Sequence, residues 1–433
     1  MSHSNAETAE SLTLPGLSAE RRAAARDAWA AFWSSRAIVW GAGMAAVLIF
    51  GWASETSARL DPLYTTLPYT DSFANLLIAP AARFDAAWYL AIANHGYEVG
   101  GRAAFFPVFP GLVRVGGEFL GSPLIAGILI SSACGLGGLY FLHRLVTLDF
   151  GLERARTVVW LAAWFPGALV ISAVYSESLF LFVSIGAIYA ARLGRWPLAG
   201  MLGAVAAATR SGGVIVVVPL LIIYLYGPRL DEPARELVRG LWPRYRPRAN
   251  VLWLLLGVPA GLAAYVLYLG LSTGDPASVF SAQAAWHRSF VPLGGLALGL
   301  WSAARGVAEL LIPGVARPPA AIAHGIPTQL IDIRDIAMFC FLAGGIWLCG
   351  EVSRRLDPAY TAYAVCGLAL PLSVPAGGFP LMSLPRFEFV IFPLWIALAL
   401  WAHERHRVRQ VLWLFGTLLA ICSSLFAVWA LAP

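Results

Sequence analysis

Residues 123–142 read PLIAGILISSACGLGGLYFL, twenty consecutive positions without a charged side chain. At about 1.5 Å per helical residue the run covers about 30 Å, the thickness of a bilayer's hydrocarbon core. The surrounding chain has the same character. Of its 433 residues, 59% are hydrophobic and only 12% charged, whereas an ordinary soluble domain carries about a quarter charged residues. A mean hydropathy of +0.71 excludes a water-soluble fold. Similar apolar runs at 38–53, 157–174, 178–191, 197–209, 212–227, 250–271, 334–350, 359–375, 387–402 and 410–430 predict an all-α polytopic integral membrane protein of about eleven transmembrane helices.

Every one of the 30 basic side chains is arginine. With alanine and glycine abundant, the lack of lysine looks like codon bias rather than chemistry. In a chain of spans the arginines are topology signals before they are nucleic-acid contacts, so no nucleic-acid partner is expected. With the N-terminus placed in the cytoplasm, 20 arginines fall on inner segments and 10 on outer ones, against 12 acids on each side. The inner side is then net positive, as the positive-inside rule requires. The first 36 residues lack an apolar core ending in a small-residue cleavage site, so a cleaved signal peptide is not expected. They read instead as a cytoplasmic tail, loose to about residue 19, then an interfacial helix over 20–34. Residues 37–433 form a single transmembrane domain. The five cysteines lie in apolar stretches with no CxxC pair, which indicates neither a disulfide framework nor a zinc site.

This topology leaves two long outer loops, 54–122 and 272–333, and connections of such length usually carry function. Within them, 105–120 reads as a juxtamembrane or re-entrant segment. Residues 293–311, with Arg305 and Glu309 at i, i+4, read as an interfacial helix. Parity demands that residues 197–227 form a hairpin, tilted or partly inserted, whose outer turn is Thr209-Arg210-Ser211-Gly212-Gly213. The short basic inner loops hold no GxxxxGK[ST] phosphate cradle. Chemistry is therefore expected on the outer face.

The densest cluster of unusual residues is RFDAAWYLAIANHGY (83–97), followed by AFFPVFPGLVR (104–114). On a helix beginning at Asp85, Trp88 and Tyr89 stand at i+3 and i+4 and share the carboxylate's face, an acid beside an aromatic wall that suits a sugar. A plain helix cap by Asp85 would need no function at all. Further signals follow: YSESLF (175–180), ATRSG (208–212) and LPRF (384–387). Together, in this order, these fragments resemble the second-mannose glycosylphosphatidylinositol mannosyltransferases, the PIG-V-like family.

The resemblance implies a GT-C-type glycosyltransferase that takes a sugar from a polyprenyl-phosphate donor on the extracytoplasmic face of the plasma membrane and passes it to a lipid-linked or glycan acceptor. The family's Trp-Asp pair carries its aspartate onto Asp85, whereas its tryptophan is replaced by Phe84. An aromatic body remains but the indole N–H donor is lost. No cofactor is implied.

Breaking an anomeric C–O bond to phosphate while an acceptor hydroxyl attacks requires a carboxylate near that hydroxyl and cations near the departing phosphate. One Asp acting as base and a few arginines suffice for inversion. The outer arginines Arg210, Arg386 and Arg83 are the candidate phosphate ligands, since the planar guanidinium matches phosphate oxygens; for Arg210 and Arg386, snorkelling from a helix end is the plainer alternative. Phe84, Trp88, Tyr89, His95, Tyr97, Glu177 and His287 are candidate substrate contacts, although Glu177 also fits a helix N-terminus. Glu388 is expected to pair with an arginine. Asp332 and Asp335 offer too few oxygens for a hard cation, so no metal site is predicted. Small residues such as Gly200, Gly203, Gly344 and Gly345 read as close helix packing. A transporter or lipid flippase would also suit many spans with intramembrane arginines, but the sequence shows no internal repeat of the kind transporters carry.

Overall fold

The computed structural model describes residues 13–63, 65–69, 73–97, 101–231, 243–312 and 328–430. Parts of both long outer loops, of the 229–248 loop and of the N-terminal tail lie outside them. The described chain is helical throughout. In order the α-helices are α1 (Thr13–Phe50), α2 (Ser54–Leu60), α3 (Phe73–Ile78), α4 (Asp85–His95), α5 (Val108–Leu120), α6 (Pro123–Trp164), α7 (Glu177–Arg192), α8 (Trp196–Ala207) and α9 (Val217–Tyr226). They continue as α10 (Val258–Thr273), α11 (Ser278–Ala285), α12 (Gly294–Leu311), α13 (Thr328–Arg355), α14 (Pro358–Leu372), α15 (Leu384–Phe389), α16 (Pro393–Glu404) and α17 (Val408–Ala427).

Five described stretches are long and apolar enough to cross a membrane, or seven if each of two sharply bent helix pairs counts as one span. The expected eleven is therefore not reached on length alone. Helices α8, α14 and the 211–226 stretch are apolar but short, and the 387–402 run is divided between α15 and α16. At the N-terminus one helix runs from Thr13 through residues 36 and 37 to Phe50, where an interfacial helix and a separate span were expected. Gly51, at φ +80°, ends it.

Helix α6 begins under a cap, Ser122 Oγ accepting the Ile125 N–H at 3.3 Å, with Pro123 in its first turn. Its 42 residues would extend about 63 Å if straight, twice the bilayer core. Gly151, at φ 78° and ψ 174°, breaks it into two legs, between the runs 123–142 and 157–174 read as separate spans.

Some contacts join segments assigned to one face, whereas Arg36, expected in the cytoplasmic tail, reaches the 166–172 turn. Segments assigned to the inner side touch one another: Arg192 binds Asp149 bidentately at 2.6 Å and Tyr360 at 3.0 Å, Arg144 meets Glu20, and Arg355 meets Glu404. At the other end α5 buries Phe109, Pro110, Val113 and Gly117 and exposes Leu112, Val115 and Phe119, the one-sided pattern of a helix lying along an interface. Helix α12 realises the Arg305–Glu309 pair at 2.6 Å and packs a face of small residues, Gly295, Gly299, Ala303 and Gly306, inward.

Two bends set up the site. The chain turns 104° between the 73–81 segment and α4, and 97° between the 166–172 turn and α7. Backbone groups exposed by such breaks need partners inside a membrane, and the structure supplies them. Arg36 of α1 donates to the carbonyls of Ala168 and Leu169 and to Ser172 Oγ, at 2.9–3.2 Å. The Val174 N–H donates to the Ala81 carbonyl at 2.9 Å, tying one bend to the other.

Candidate active site

The first residue after each bend is a carboxylate: Asp85 opens α4 and Glu177 opens α7, both at the positive end of a helix dipole. Tyr175 registers them. Its hydroxyl donates to the Arg83 carbonyl at 3.0 Å and accepts the Asp85 N–H at 3.2 Å, while Tyr89 and Ser176 share a 2.7 Å hydroxyl hydrogen bond.

Arg386 closes the group. It sits in α15, begun by Ser383 in left-handed backbone at φ +67° with Pro385 in the first turn. The turn reaches the bends because Gly167 lies against the Pro385 carbonyl, where a Cβ would collide. Arg386 Nη1 donates to Asp85 Oδ2 at 2.5 Å, and its Nε lies 3.6 Å from Glu177 Oε1. Arg210 follows α8 in extended backbone; its Nη1 is 2.5 Å from Glu177 Oε1, an ion pair off the hydrogen-bonding direction. Gly213 makes this turn possible, since a side chain there would strike the Ala206 carbonyl. The Phe387 ring lies beneath both guanidiniums, 5.2 Å from Arg386 and 5.3 Å from Arg210. The result is a chain of alternating charge: Asp85, Arg386, Glu177, Arg210.

Arg210 also lines a cavity of about 490 Å³, walled mainly by Phe106, Phe180, Leu262, Phe280, Phe387 and Val390. Asp85 lies outside that wall, three ion pairs along the charge chain from Arg210. The wall holds a further cation that the sequence reading did not single out, Arg288. Burial first, then repulsion from Arg386 and Arg210 partly offset by Asp85, pulls its guanidinium down to about 10, still charged at neutral pH. Only its neighbour His287 drew notice in the sequence, because nothing local marks a loop arginine as facing a cavity.

The other candidates lie in several environments. Arg83 is fully buried and turned to the far end of the chain, Nε donating to the Ala427 carbonyl at 2.9 Å with the Trp429 ring 5.2 Å away. Phe84, at φ +51°, packs on Phe426 and Trp429. Trp88 stacks on Phe105 and meets the edge of Trp286 at 4.9 Å. Tyr97 is buried, its hydroxyl donating to the Phe105 carbonyl at 2.8 Å, which fixes the loop before α5. His95 and His287 are exposed. Glu388 does not meet an arginine as expected: its carboxylate is buried against Gly345, and Oε1 has no hydrogen-bond partner among the described residues. Asp332 and Asp335 are buried, Asp335 paired with Arg334 at 2.8 Å. No group of three His, Cys, Asp or Glu able to hold a metal occurs among the described residues.

Residues 44–226 match the family described as Mannosyltransferase (PIG-V). The chain is PIG-V-like over this stretch. The PIG-V-like region contains Asp85, Glu177 and Arg210, whereas Arg288 and Arg386 lie beyond it. GPI alpha-1,6-mannosyltransferase 2 of Rattus norvegicus is 34% identical over 160 residues, which are 34% of this chain and 32% of the rat protein. GPI mannosyltransferase 2 of Cryptococcus neoformans is 26% identical over 183 residues, 39% of this chain and 43% of the fungal protein. The match thus spans about a third of the length of the mammalian relative and under half of the fungal one. Among solved structures, the Archaeoglobus fulgidus oligosaccharyltransferase tethered with an acceptor peptide aligns over 90% of this chain and 56% of its own, at 15% identity and a TM-score of 0.42.

Proposed function

We propose that this PIG-V-like membrane protein is an inverting GT-C-type hexosyltransferase, acting with mannose from a polyprenyl-phosphate donor on a lipid-linked or glycan acceptor at the extracytoplasmic face of the plasma membrane. The observation that carries the reading is the Asp85–Arg386–Glu177–Arg210 chain, which sets a carboxylate at one end and a cation on an apolar-walled cavity at the other.

The acceptor hydroxyl oxygen attacks the anomeric carbon as the C1–O bond to phosphate breaks. The bonding pair leaves with the polyprenyl phosphate, and the hydroxyl proton passes to Asp85. Arg386 holds Asp85 Oδ2, and Oδ1 has no hydrogen-bond partner among the described residues, so that oxygen is the one to accept the proton. Arg210 and Arg386 offset the charge growing on the leaving phosphate. Such a phosphate is a good leaving group without a general acid, and Glu177, held between the two arginines, is not needed as one.

The test is a donor panel. Membranes carrying the protein should transfer label from polyprenyl-phosphate-mannose in preference to polyprenyl-phosphate-glucose, a polyprenyl-phosphate pentose or nucleotide-linked mannose. Transfer from the nucleotide sugar alone would refute the donor class.

A further inference from the structure

Two arginines, Arg210 and Arg288, stand in the cavity wall and a third, Arg386, is linked to Arg210 through Glu177, but only two carboxylates accompany the three. Arg210 has Glu177, and Arg386 has both Asp85 and Glu177. Arg288 has no carboxylate in ion-pair range among the described residues. Among the described residues its guanidinium makes one hydrogen bond, from Nη1 to the Val374 carbonyl at 3.1 Å. It is nonetheless held in place. On one side the Trp286 indole N–H donates to the Gly101 carbonyl at 3.1 Å, and the His287 carbonyl accepts the Gly377 N–H at 2.7 Å. On the other, the Val291 N–H donates to the Ser373 carbonyl at 2.9 Å. A cation fixed by its backbone, facing a cavity and lacking an acid is a preformed anion contact.

The apolar part of the cavity continues outward. Leu262 and Phe280 line both it and a groove of about 630 Å³ along α10 and the start of α11, which also includes Pro259, Ala263, Leu267 and Leu271. Leu267, Leu271 and Phe280 are largely exposed, so the groove opens where lipid would lie. A ligand matching both parts has one anionic end and a long hydrocarbon end.

We propose that this cavity and groove form one lipid-phosphate slot, in which Arg288 binds the phosphate and an isoprenoid tail leaves over Leu262 and Phe280 along α10. The assignment rests on the donor class proposed above and adds where the phosphate and tail of that donor lie.

Binding of sugar-free lipids to the full chain in lipid nanodiscs tests the slot without requiring turnover. The probes are a two-isoprene phosphate, an eleven-isoprene phosphate and the uncharged eleven-isoprene alcohol. Arg288→Gln should weaken both phosphates about tenfold, the scale of a lost charge-assisted contact, and leave the alcohol unchanged; Arg288→Lys should recover part of the loss. Ala263 is exposed, so Ala263→Trp can fill the groove without entering the core and tests the tail route even if Arg288→Gln does not fold. It should weaken the eleven-isoprene phosphate about tenfold and the two-isoprene phosphate less than about twofold, since only buried chain methylenes contribute at that distance. Equal effects of Ala263→Trp on both chain lengths, or an Arg288→Gln loss as large for the alcohol as for the phosphates, would overturn the proposal. Intact phosphate binding without sugar transfer would instead count against the transferase reading and leave the slot standing.

Discussion

Arg386 Nη1 donates to Asp85 Oδ2 at 2.5 Å, joining residues 301 positions apart. The contact fastens the last third of the chain to the first outer segment. It also orients the carboxylate assigned as base, so the two residues should act as a unit. In a double-mutant cycle of Asp85→Asn and Arg386→Gln, measured on transfer rate, the combined loss should fall short of the sum of the single losses by about 0.5–3 kcal/mol, as expected for side chains in direct contact. Additive losses would show that they act independently.

Glu177 and Glu388 are both buried, but they differ in what they touch. Glu177 faces two arginines, and Glu388 faces Gly345. Removing one member of a buried charge network leaves the others unpaired, at about 3–5 kcal/mol. Glu177→Gln should therefore lower thermal stability by that order and depress transfer. Glu388→Gln, which uncovers no cation, should change stability by less than about 1 kcal/mol. Thermal unfolding in detergent compares the pair.

Gly167 and Gly344 provide a packing control. A methyl at Gly167 would meet the Pro385 carbonyl and push α15 away from the bends, whereas Gly344 has nothing within 4 Å of the added atom. Gly167→Ala should destabilise by about 1–3 kcal/mol, the usual cost of overpacking, and lower transfer as Arg386 shifts. Gly344→Ala should be neutral or stabilise by about 0.5–1 kcal/mol, because helical glycine is entropically costly.

Arg83 directs its Nε to the Ala427 carbonyl and lies against Trp429. Arg83→Gln should reduce folded yield without a selective rise in the KM for donor, whereas Arg210→Gln should raise that KM. A donor-specific KM effect at Arg83 would return it to the phosphate.

Much of this architecture is legible in the sequence because apolar runs and arginine clusters are local signals. The 123–142 run does lie within a long helix, and the 144–156 arginines do surround a break, at Gly151. The N-terminal boundary was not legible, because Ala, Arg and Trp residues around 20–36 carry a helix as readily as the apolar turns beyond them. At the site, short motifs marked Asp85, Glu177, Arg210 and Arg386, but not which would meet. Residues 83, 84 and 85 show why. One left-handed residue, Phe84, sends Arg83 to Ala427, itself to Phe426 and Asp85 to Arg386. Three neighbours thus face three partners more than 300 positions away. Arg288 escaped notice for the same reason: its environment is assembled from helices distant in sequence.

The central claim is that Asp85 accepts the proton from an acceptor hydroxyl as sugar leaves a polyprenyl phosphate. The most direct measurement is incorporation of radiolabelled mannose from polyprenyl-phosphate-mannose into membrane lipid or glycan, in membranes holding equal amounts of wild-type protein, Asp85→Asn protein or no protein. The account predicts incorporation by wild type and a loss of about 10²–10⁴-fold in Asp85→Asn, the range for a missing general base. Full activity in Asp85→Asn would contradict it.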